Sequence, residues 1–285
     1  MTEILLGKQI GSGATANVYE CGHGKVCKLY APNTGSAEYE YLKMKEAYDL
    51  GIPVPQPYEL IEIDNRRGII MEHISGHSLM EILMNHLAFC FENQMSNHEI
   101  FISDVIQGQI KTVAATLADF HAHTCSLQET DKIALSNGCK YNTYLSKSEK
   151  AKVMDLIAKL PDGNSLIHGD PNPGNFIVQN GTIRVIDWNN CVNGNFMYNI
   201  AEYVLTMRYA NVSIALPEPA FHFITEYQND FSKVFLTEYT KLTNRDLSAL
   251  EQWTLPILVS KLNGNNPPQK QEKILADVKI LLSSL

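Results

Sequence analysis

Four polar residues in the middle of the chain have the types and the spacing that phosphoryl transfer requires. His168, Asp170 and Asn175 form an H-x-D-x-x-x-x-N motif, and Asp187 follows Asn175 after two apolar runs joined by a turn at Asn180. Transfer of a phosphoryl group to a hydroxyl needs a carboxylate that accepts the hydroxyl proton and oxygen donors that hold Mg²⁺. Asp170 suits the first task, and Asn175 with Asp187 suits the second. An ordinary polar turn explains each residue singly but not their joint spacing.

A second candidate site lies near the start of the chain, where residues 11–18 contain two glycines between apolar runs. Gly11 and Gly13 carry no Cβ, so their backbone can approach a phosphate group and offer it N–H groups. Ser12 and Thr15 belong to the same loop and complete the candidate phosphate contacts. A dinucleotide-binding loop or a P-loop opens a helix, whereas the residues that follow here are typical of a strand. Alone, the pattern also suits an ordinary hairpin.

Lys28 lies within the apolar run of residues 26–29, ten residues after Val18. An ammonium group among apolar strand neighbours is costly to bury unless a carboxylate pairs with it. The next predicted helix offers Glu38 and Glu40. In kinases a lysine–glutamate pair of this layout holds the phosphates of ATP. Two alternatives stay open: Lys28 pairs with a glutamate, or it extends to solvent and both glutamates are solvated.

The first part of the chain predicts a small antiparallel sheet and one helix to support these groups. Short apolar runs separated by glycine-containing turns are typical of strands, and two more such runs follow at residues 58–63 and 68–72. Between them, residues 36–50 are rich in good helix formers and begin with a serine that can cap a helix.

Helical spacing dominates the rest of the chain. It covers residues 78–91 and 100–123 and most of the tail, around a strand–loop–strand section at residues 165–188 that carries the H-x-D motif. We therefore predict an α+β fold with two lobes. The N-terminal lobe, residues 1–75, holds the antiparallel sheet and one helix, and the larger C-terminal lobe, residues 76–285, is mainly helical.

Composition excludes several functional classes. The chain has 285 residues, 45% of them hydrophobic, with 23 Lys+Arg against 31 Asp+Glu and a formal net charge of −8. This size supports a full core, and the negative charge argues against a general nucleic-acid or membrane-surface binder. Six cysteines without a C-x-x-C pair and no apolar targeting segment predict a cytoplasmic protein with reduced thiols. The sequence does not indicate an oligomeric state.

With these motifs, the chain resembles the aminoglycoside phosphotransferase and choline kinase group of the protein-kinase-like superfamily. It looks closest to bacterial phosphotransferases whose substrate is often unassigned. The resemblance extends over at least residues 5–206. The matching segments are the H-G-D-x-x-P-x-N loop at residues 168–175, the I-D-W at 186–188, and residues 51–55, 71–76 and 117–122.

The resemblance implies a two-lobed kinase-like fold and an ATP- and Mg²⁺-dependent small-molecule kinase. Asp170 corresponds to the catalytic base of the group, and Asn175 and Asp187 correspond to its magnesium ligands. His168 corresponds to a residue that braces the loop and does not react.

The resemblance also assigns the nucleotide contacts. Lys28 corresponds to the lysine that grips the phosphates, and Glu40 matches its helix partner better than Glu38 does. Backbone groups of Glu72 and Ile74 correspond to the hinge that holds the purine. The choice between ATP and GTP stays open.

Two departures from related kinases bear on function. Gly169 replaces the arginine of the protein-kinase H-R-D motif, which argues against regulation by a phosphorylated activation loop. Asn199 stands where relatives often have an aspartate that supports the catalytic loop, so the bracing of that loop is in doubt. The alternatives to a small-molecule kinase are a nucleotide-binding sensor without catalysis and, less favoured, a protein kinase.

The acceptor is predicted only by class, as a hydroxyl of an aminoglycoside, an amino alcohol or a sugar. Glu202, Glu226 and Asp230 are candidate carboxylates for a cationic acceptor, although a solvated helix face explains them too. Four tyrosines could instead form a cage around a quaternary ammonium, with core packing as the alternative. They are Tyr198, Tyr203, Tyr209 and Tyr227.

Overall fold

The computed structural model of the protein describes residues 6–13, 15–32, 36–212 and 216–285. Leu5 and Ala14, which belong to the predicted first strand and glycine loop, lie outside the described residues. The strands are β1 Gln9–Ser12, β2 Ala16–Glu20, β3 Lys25–Tyr30, β4 Pro57–Ile63, β5 Arg66–Glu72, β6 His77–Ser78, β7 Ser165–Ile167, β8 Phe176–Gln179, β9 Thr182–Val185 and β10 Val192–Gly194. The helices are α1 Ser36–Asp49, α2 Leu79–Glu92, α3 Asn97–Phe101, α4 Asp104–Phe120, α5 Asp131–Tyr141, α6 Lys147–Lys159, α7 Met197–Arg208, α8 Glu218–Thr243, α9 Thr254–Lys261 and α10 Pro268–Ser283.

The predicted N-terminal sheet is confirmed as a five-stranded antiparallel sheet with the order β1-β2-β3-β5-β4. The turn between β4 and β5 forms at Asp64 and Asn65, whose φ angles of 50° and 60° are left-handed values that suit a tight hairpin. The helix α1 is also confirmed and buries Ala37, Met44 and Ala47 on one face. The sheet thus fixes β3 at its centre, where Lys28 lies.

The chain folds into two compact units. The first comprises Met1–Ser78 and Gly174–Cys191, and the second comprises Leu79–Pro173 and Val192–Leu285. The second segment of the first unit packs there because the β8–β9 hairpin pairs with β6 through His77 and Val178. Its Val185 N–H also donates to the Pro53 carbonyl at 2.8 Å. Asn175 and Asp187 therefore belong to the sheet-containing unit, and Asp170 belongs to the helical one.

The helical unit differs from its predicted elements in two places. The predicted helix over residues 100–123 is broken into α3 and α4, because the Ser103 hydroxyl accepts the Ile106 N–H and starts a new helix. The helices α5 and α6 were not predicted. Their caps were available as a signal, since Ser146 and Glu149 form a capping box at the start of α6.

A large apolar core holds the helical unit together. It joins α5, α6, α7, α9 and α10 and includes the fully buried Trp253. Ile167 at the end of β7 and Tyr198 on α7 belong to the same core. The residue immediately before the loop of residues 168–175 is therefore anchored in packed structure, and so is α7, which carries Asn199. A precise site requires such support.

In the part of the chain that the structure describes, none of the helices combines the length and the apolar character that a membrane crossing needs.

Candidate active site

Lys28 lies at the centre of an ion-pair network in the sheet-containing unit. Its Nζ is 2.8 and 2.9 Å from the two carboxylate oxygens of Glu40 and 2.8 Å from Asp187 Oδ1. The Tyr30 hydroxyl also donates to Glu40. Glu40 is 2% exposed, whereas Asp187 is 47% exposed. Lys28 therefore pairs with a glutamate and does not extend to solvent, and the partner is Glu40. Glu38 pairs instead with Arg67 at the surface.

The charge state of Lys28 follows from these partners. Burial acts to lower the pKa of the Lys28 ammonium, but the carboxylates of Glu40 and Asp187 outweigh that effect and hold the pKa above its ordinary value. Lys28 is thus a fixed cation at neutral pH. Because Asp187 is the exposed partner, it is the one that can exchange Lys28 for another cation at low cost.

All ten residues predicted to contact the nucleotide or the metal line one cavity in the sheet-containing unit, with a volume of about 730 Å³. They are Gly11, Ser12, Gly13, Thr15, Lys28, Glu40, Glu72, Ile74, Asn175 and Asp187. A volume of this size is typical of small-molecule and cofactor sites. The sequence places these residues in six separate segments, and the sheet with its β8–β9 hairpin brings them to one surface.

The glycine loop joins β1 and β2 at one end of this cavity. The Gly13 N–H donates to the Ala16 carbonyl at 2.9 Å, so this group is engaged within the turn. A Cβ on Gly13 would meet only that same carbonyl, at an ordinary contact distance of 3.5 Å. The chain itself therefore does not require glycine here, and the absence of a side chain leaves the backbone open toward the cavity.

The hinge after β5 offers main-chain groups at another wall of the cavity. The Ile74 N–H donates to no other residue in the described part of the chain. The Glu72 side chain, by contrast, is held by Arg184 and by the Gln56 N–H. Sequence reasoning did not find Arg184. It fixes the hinge through one oxygen of the Glu72 carboxylate, and the Glu72 N–H donates to the Gln56 carbonyl at 2.9 Å.

Asn175 and Asp187 fit the coordination chemistry of a hard divalent cation. Both line the cavity, and the Ile186 N–H donates to the Asn175 carbonyl at 3.0 Å, which ties the two positions together. Asp187 has a φ of 65°, a left-handed value that is costly for a residue with a side chain. Amide and carboxylate oxygens suit Mg²⁺, which is usually bound by few protein ligands together with phosphates.

The catalytic loop of the helical unit places Asp170 beside a buried histidine. His168 is fully buried, and its Nδ1 accepts the Asp170 N–H at 3.3 Å. Gly169 between them has a φ of 79°, which an arginine would adopt only with strain. This conformation explains why glycine stands where protein kinases carry arginine.

Asn199 braces the catalytic loop in place of an aspartate. Its Oδ1 accepts the Gly169 N–H at 2.9 Å, and its Nδ2 lies 3.0 Å from His121 Nε2. Because the Asn199 amide nitrogen is a donor, His121 Nε2 must accept its hydrogen bond. The ring proton is therefore on His121 Nδ1, which donates to the Tyr239 hydroxyl at 2.8 Å. Burial, and secondarily the charge of Arg245, holds the pKa of His121 well below its ordinary value, so the ring is neutral. The doubt about this loop is resolved by an uncharged network.

Asn199→Ala is expected to lower the turnover number about tenfold or more, with little change in the KM for ATP, because the loop would lose a fixed hydrogen bond. It would also leave the buried Gly169 N–H and His121 Nε2 without partners, which lowers the free energy of unfolding by about 1–3 kcal/mol. Asn199→Asp keeps the acceptor for Gly169 and is expected to restore part of the activity. Steady-state kinetics and urea unfolding measure both effects.

The matched control is Asn93→Ala, since the Asn93 amide caps an exposed carbonyl at the end of α2. Its free energy of unfolding is expected to change by less than about 0.5 kcal/mol. Full turnover by Asn199→Ala would show that this network does not position the loop.

A second cavity, of about 350 Å³, lies in the helical unit, and Asp170 lines it together with Asn172 and Pro173. The three carboxylates predicted for the acceptor do not line this cavity. Glu202 is buried and pairs with Lys261 at 2.5 Å. Glu226 accepts a hydrogen bond from Asn97, and Asp230 pairs with Lys233 near the surface.

The predicted tyrosine cage is not assembled around this cavity. Of the four tyrosines, Tyr203 alone is among its described lining residues. Tyr198 stacks on Trp253 within the core, and Tyr209 donates to Asp277. Tyr227 of α8 stacks on Phe101 of α3 and on Phe223 of its own helix. Core packing therefore accounts for Tyr198 and Tyr209, and ring stacking at a partly buried position accounts for Tyr227.

A family model matches part of the chain. Residues 103–234, fewer than half of the 285, match the model of the phosphotransferase enzyme family, and this segment contains His121, residues 168–175 and Asn199. Over this segment the chain is similar to phosphotransferases. The resemblance to the aminoglycoside phosphotransferase and choline kinase group, predicted from its motifs, is confirmed. No protein among the curated sequences matches the chain significantly.

Solved structures show that the protein has the kinase-like fold. It is similar to a thermostable mutant of the aminoglycoside phosphotransferase APH(4)-Ia, with a TM-score of 0.60, 15% identity, and 97% and 94% of the two chains covered. It is also similar to amicoumacin kinase hAmiN in complex with AMP-PNP, Ca²⁺ and Ami, with a TM-score of 0.62, 16% identity, and coverage of 99% and 90%. A choline/ethanolamine kinase family protein from Mesorhizobium loti gives a TM-score of 0.60 at 13% identity, with 96% and 87% covered. The predicted two-lobed α+β fold class is confirmed.

Proposed function

We propose that this protein transfers the γ-phosphoryl group of ATP to a hydroxyl of a small molecule in the presence of Mg²⁺. The observation that carries the proposal is the convergence of all ten predicted nucleotide and metal residues on one cavity. Structural neighbours bound to ADP with hygromycin B, and to AMP-PNP with Ca²⁺ and Ami, support a nucleotide, a divalent cation and a small-molecule acceptor.

Each residue has a definite task in this reaction. Lys28 pairs with phosphate oxygens while Glu40 holds its ammonium in place, and the Ile74 N–H and the Glu72 carbonyl contact the purine. Asn175 and Asp187 would hold Mg²⁺, which supplies positive charge against the phosphates. Asp187 would then exchange its bond to Lys28 for the metal.

Asp170 acts as the general base of the transfer. The acceptor O–H bond breaks as its proton passes to an Asp170 carboxylate oxygen. The acceptor oxygen forms a bond to the γ-phosphorus, and the bond from that phosphorus to the bridging oxygen of ADP breaks. His168 and Asn199 keep the loop in the conformation that presents the carboxylate, through the Asp170 and Gly169 amides.

An ATP-consumption screen over hydroxyl compounds tests the proposal. The panel includes aminoglycosides, choline, ethanolamine, homoserine, sugars and hydroxy acids, and phosphorus NMR identifies each product. At least one acceptor is expected to yield a phosphate monoester in a Mg²⁺-dependent manner. Nucleotide binding without turnover of any acceptor would instead favour a sensor, and transfer to protein in a cell lysate would favour a protein kinase.

A further inference from the structure

The cavity beside Asp170 has mainly apolar walls. They come from α2, α4 and α8 and include Leu79, Leu83, Ile110, Val113, Ile224 and Phe231. Burial of apolar ligand surface contributes roughly 25 cal/mol per Å². A sugar or an aminoglycoside, covered with hydroxyl and ammonium groups, would lose its hydration against such walls without recovering it. The walls therefore select a ligand with an apolar body.

The charged groups at the cavity favour an anion on that ligand. Among the described lining residues, Asp170 is the one carboxylate, and Lys261 and Lys270 are two ammonium groups. Lys261 is already paired with Glu202. Lys270 makes no hydrogen bond or ion pair with any other described residue. Burial, and then repulsion by Lys261, lowers the pKa of Lys270, and the charges of Asp170 and Glu202 offset only part of that effect. A bound anion would pair with the Lys270 ammonium group and thereby raise its pKa again.

Two amide groups show where the ligand is polar. Gln109 Nε2 and Gln228 Oε1 are buried atoms without a hydrogen-bond partner in the described part of the chain, and both residues line the cavity. A buried polar atom without a partner has lost its hydration without gaining a hydrogen bond, which is unfavourable. A ligand that carries a hydrogen-bond acceptor and a hydrogen-bond donor would satisfy both atoms. Its acceptor would pair with Gln109 Nε2, and its donor would pair with Gln228 Oε1.

We propose that the acceptor is an amphiphilic alcohol with an apolar body and an anionic group, such as a carboxylate, that pairs with Lys270 while its hydroxyl meets Asp170. This inference rests on the proposed function, since Asp170 serves as the base. It selects against polycationic acceptors, which the Lys270 ammonium group would repel.

Calorimetry on the full chain with matched probes tests the inference. The probes are ω-hydroxydecanoate, aminodecanol and decanediol, which share an apolar chain and a hydroxyl but differ in charge, together with kanamycin as a polycation. The hydroxy acid is expected to bind at least about tenfold more tightly than the amine. Lys270→Gln is expected to weaken the hydroxy acid about 10- to 100-fold and to leave the diol within about twofold, because only the charged hydrogen bond is lost.

Lys273→Gln is the matched control, since Lys273 lies one turn further along α10 and contacts the Tyr209 ring. Its affinity for the hydroxy acid is expected to stay unchanged. Equal or tighter binding of the amine or of kanamycin would overturn the inference, as would absence of hydroxy-acid binding at millimolar concentration. A Lys270→Gln variant that loses affinity for AMP-PNP and not for the hydroxy acid would assign the lysine to the nucleotide and would also overturn it.

A failure of the proposed function can be distinguished from a failure of this inference about the acceptor. AMP-PNP binding and Mg²⁺-dependent turnover of any acceptor in the screen report on phosphoryl transfer, whereas probe binding is read without turnover. Phosphorylation of cationic or neutral acceptors alone would leave the proposed function standing and remove only this inference.

Discussion

Asp170→Asn is expected to lower the rate of phosphoryl transfer about 10²- to 10⁴-fold, the usual contribution of a general base. The amide keeps the size of the carboxylate and an oxygen acceptor, but it cannot take the acceptor proton. Asp170 lies in the helical unit, whereas the residues around the 730 Å³ cavity lie in the sheet-containing unit. Nucleotide binding is therefore expected to remain unchanged. Steady-state kinetics with an acceptor from the screen and calorimetry with AMP-PNP measure the two effects.

Asp155→Asn is the control for this substitution. Asp155 is an exposed residue of α6 that pairs with Lys159 one turn away, so the same chemical change there is expected to leave turnover intact. Turnover by Asp170→Asn at the wild-type rate would remove Asp170 from the role of base. A joint loss of turnover and AMP-PNP binding would point to an effect on the fold.

Lys28→Met is expected to lower the free energy of unfolding by about 3–5 kcal/mol, because it leaves a buried carboxylate without its cation. Glu40 is 2% exposed, and both of its carboxylate oxygens accept from Lys28. The Tyr30 hydroxyl alone cannot neutralise that charge. The same variant is expected to lose most of its affinity for AMP-PNP, since the ammonium is the fixed cation of the cavity. Urea unfolding and calorimetry measure these effects.

A double variant separates the loss of stability from the loss of AMP-PNP affinity. Lys28→Met with Glu40→Gln removes the buried charge together with its partner, so most of the lost stability is expected to return while AMP-PNP affinity stays low. Lys45→Met is the control, because Lys45 forms an exposed pair with Asp49 on α1. A loss of less than about 1 kcal/mol in Lys28→Met would contradict a buried pair.

Local patterns in the chain account for much of this fold. Apolar runs of strand length, separated by glycine and asparagine turns, predicted the N-terminal sheet, and the helix formers of residues 36–50 predicted α1. These features depend on neighbours in the chain, so sequence alone reports them. The break at Ser103 and the helices α5 and α6 depended on single capping residues, a weaker signal than apolar periodicity.

The acceptor cavity could not be predicted in the same way. Lys261 and Lys270 lie about ninety to one hundred residues from Asp170 in the chain, and no local spacing relates them. Glu202 and Lys261 are far apart in the chain, whereas the fold joins them into a buried pair. The sequence likewise does not show that Lys270 lacks a partner among the described residues.

The sequence by itself predicts the chemistry: the types and spacing of the H-G-D-x-x-P-x-N loop, the strand lysine and the second aspartate indicate the candidate reacting groups, because this combination has few other uses. The tertiary structure decided the partners. In the structure Lys28 pairs with Glu40 and not with Glu38. The neutral Asn199–His121–Tyr239 network stands where relatives use an aspartate. Apolar walls and an ammonium group line the cavity beside Asp170. The physical reason is that burial and pairing depend on distance in space, which helix packing sets and which sequence separation does not encode.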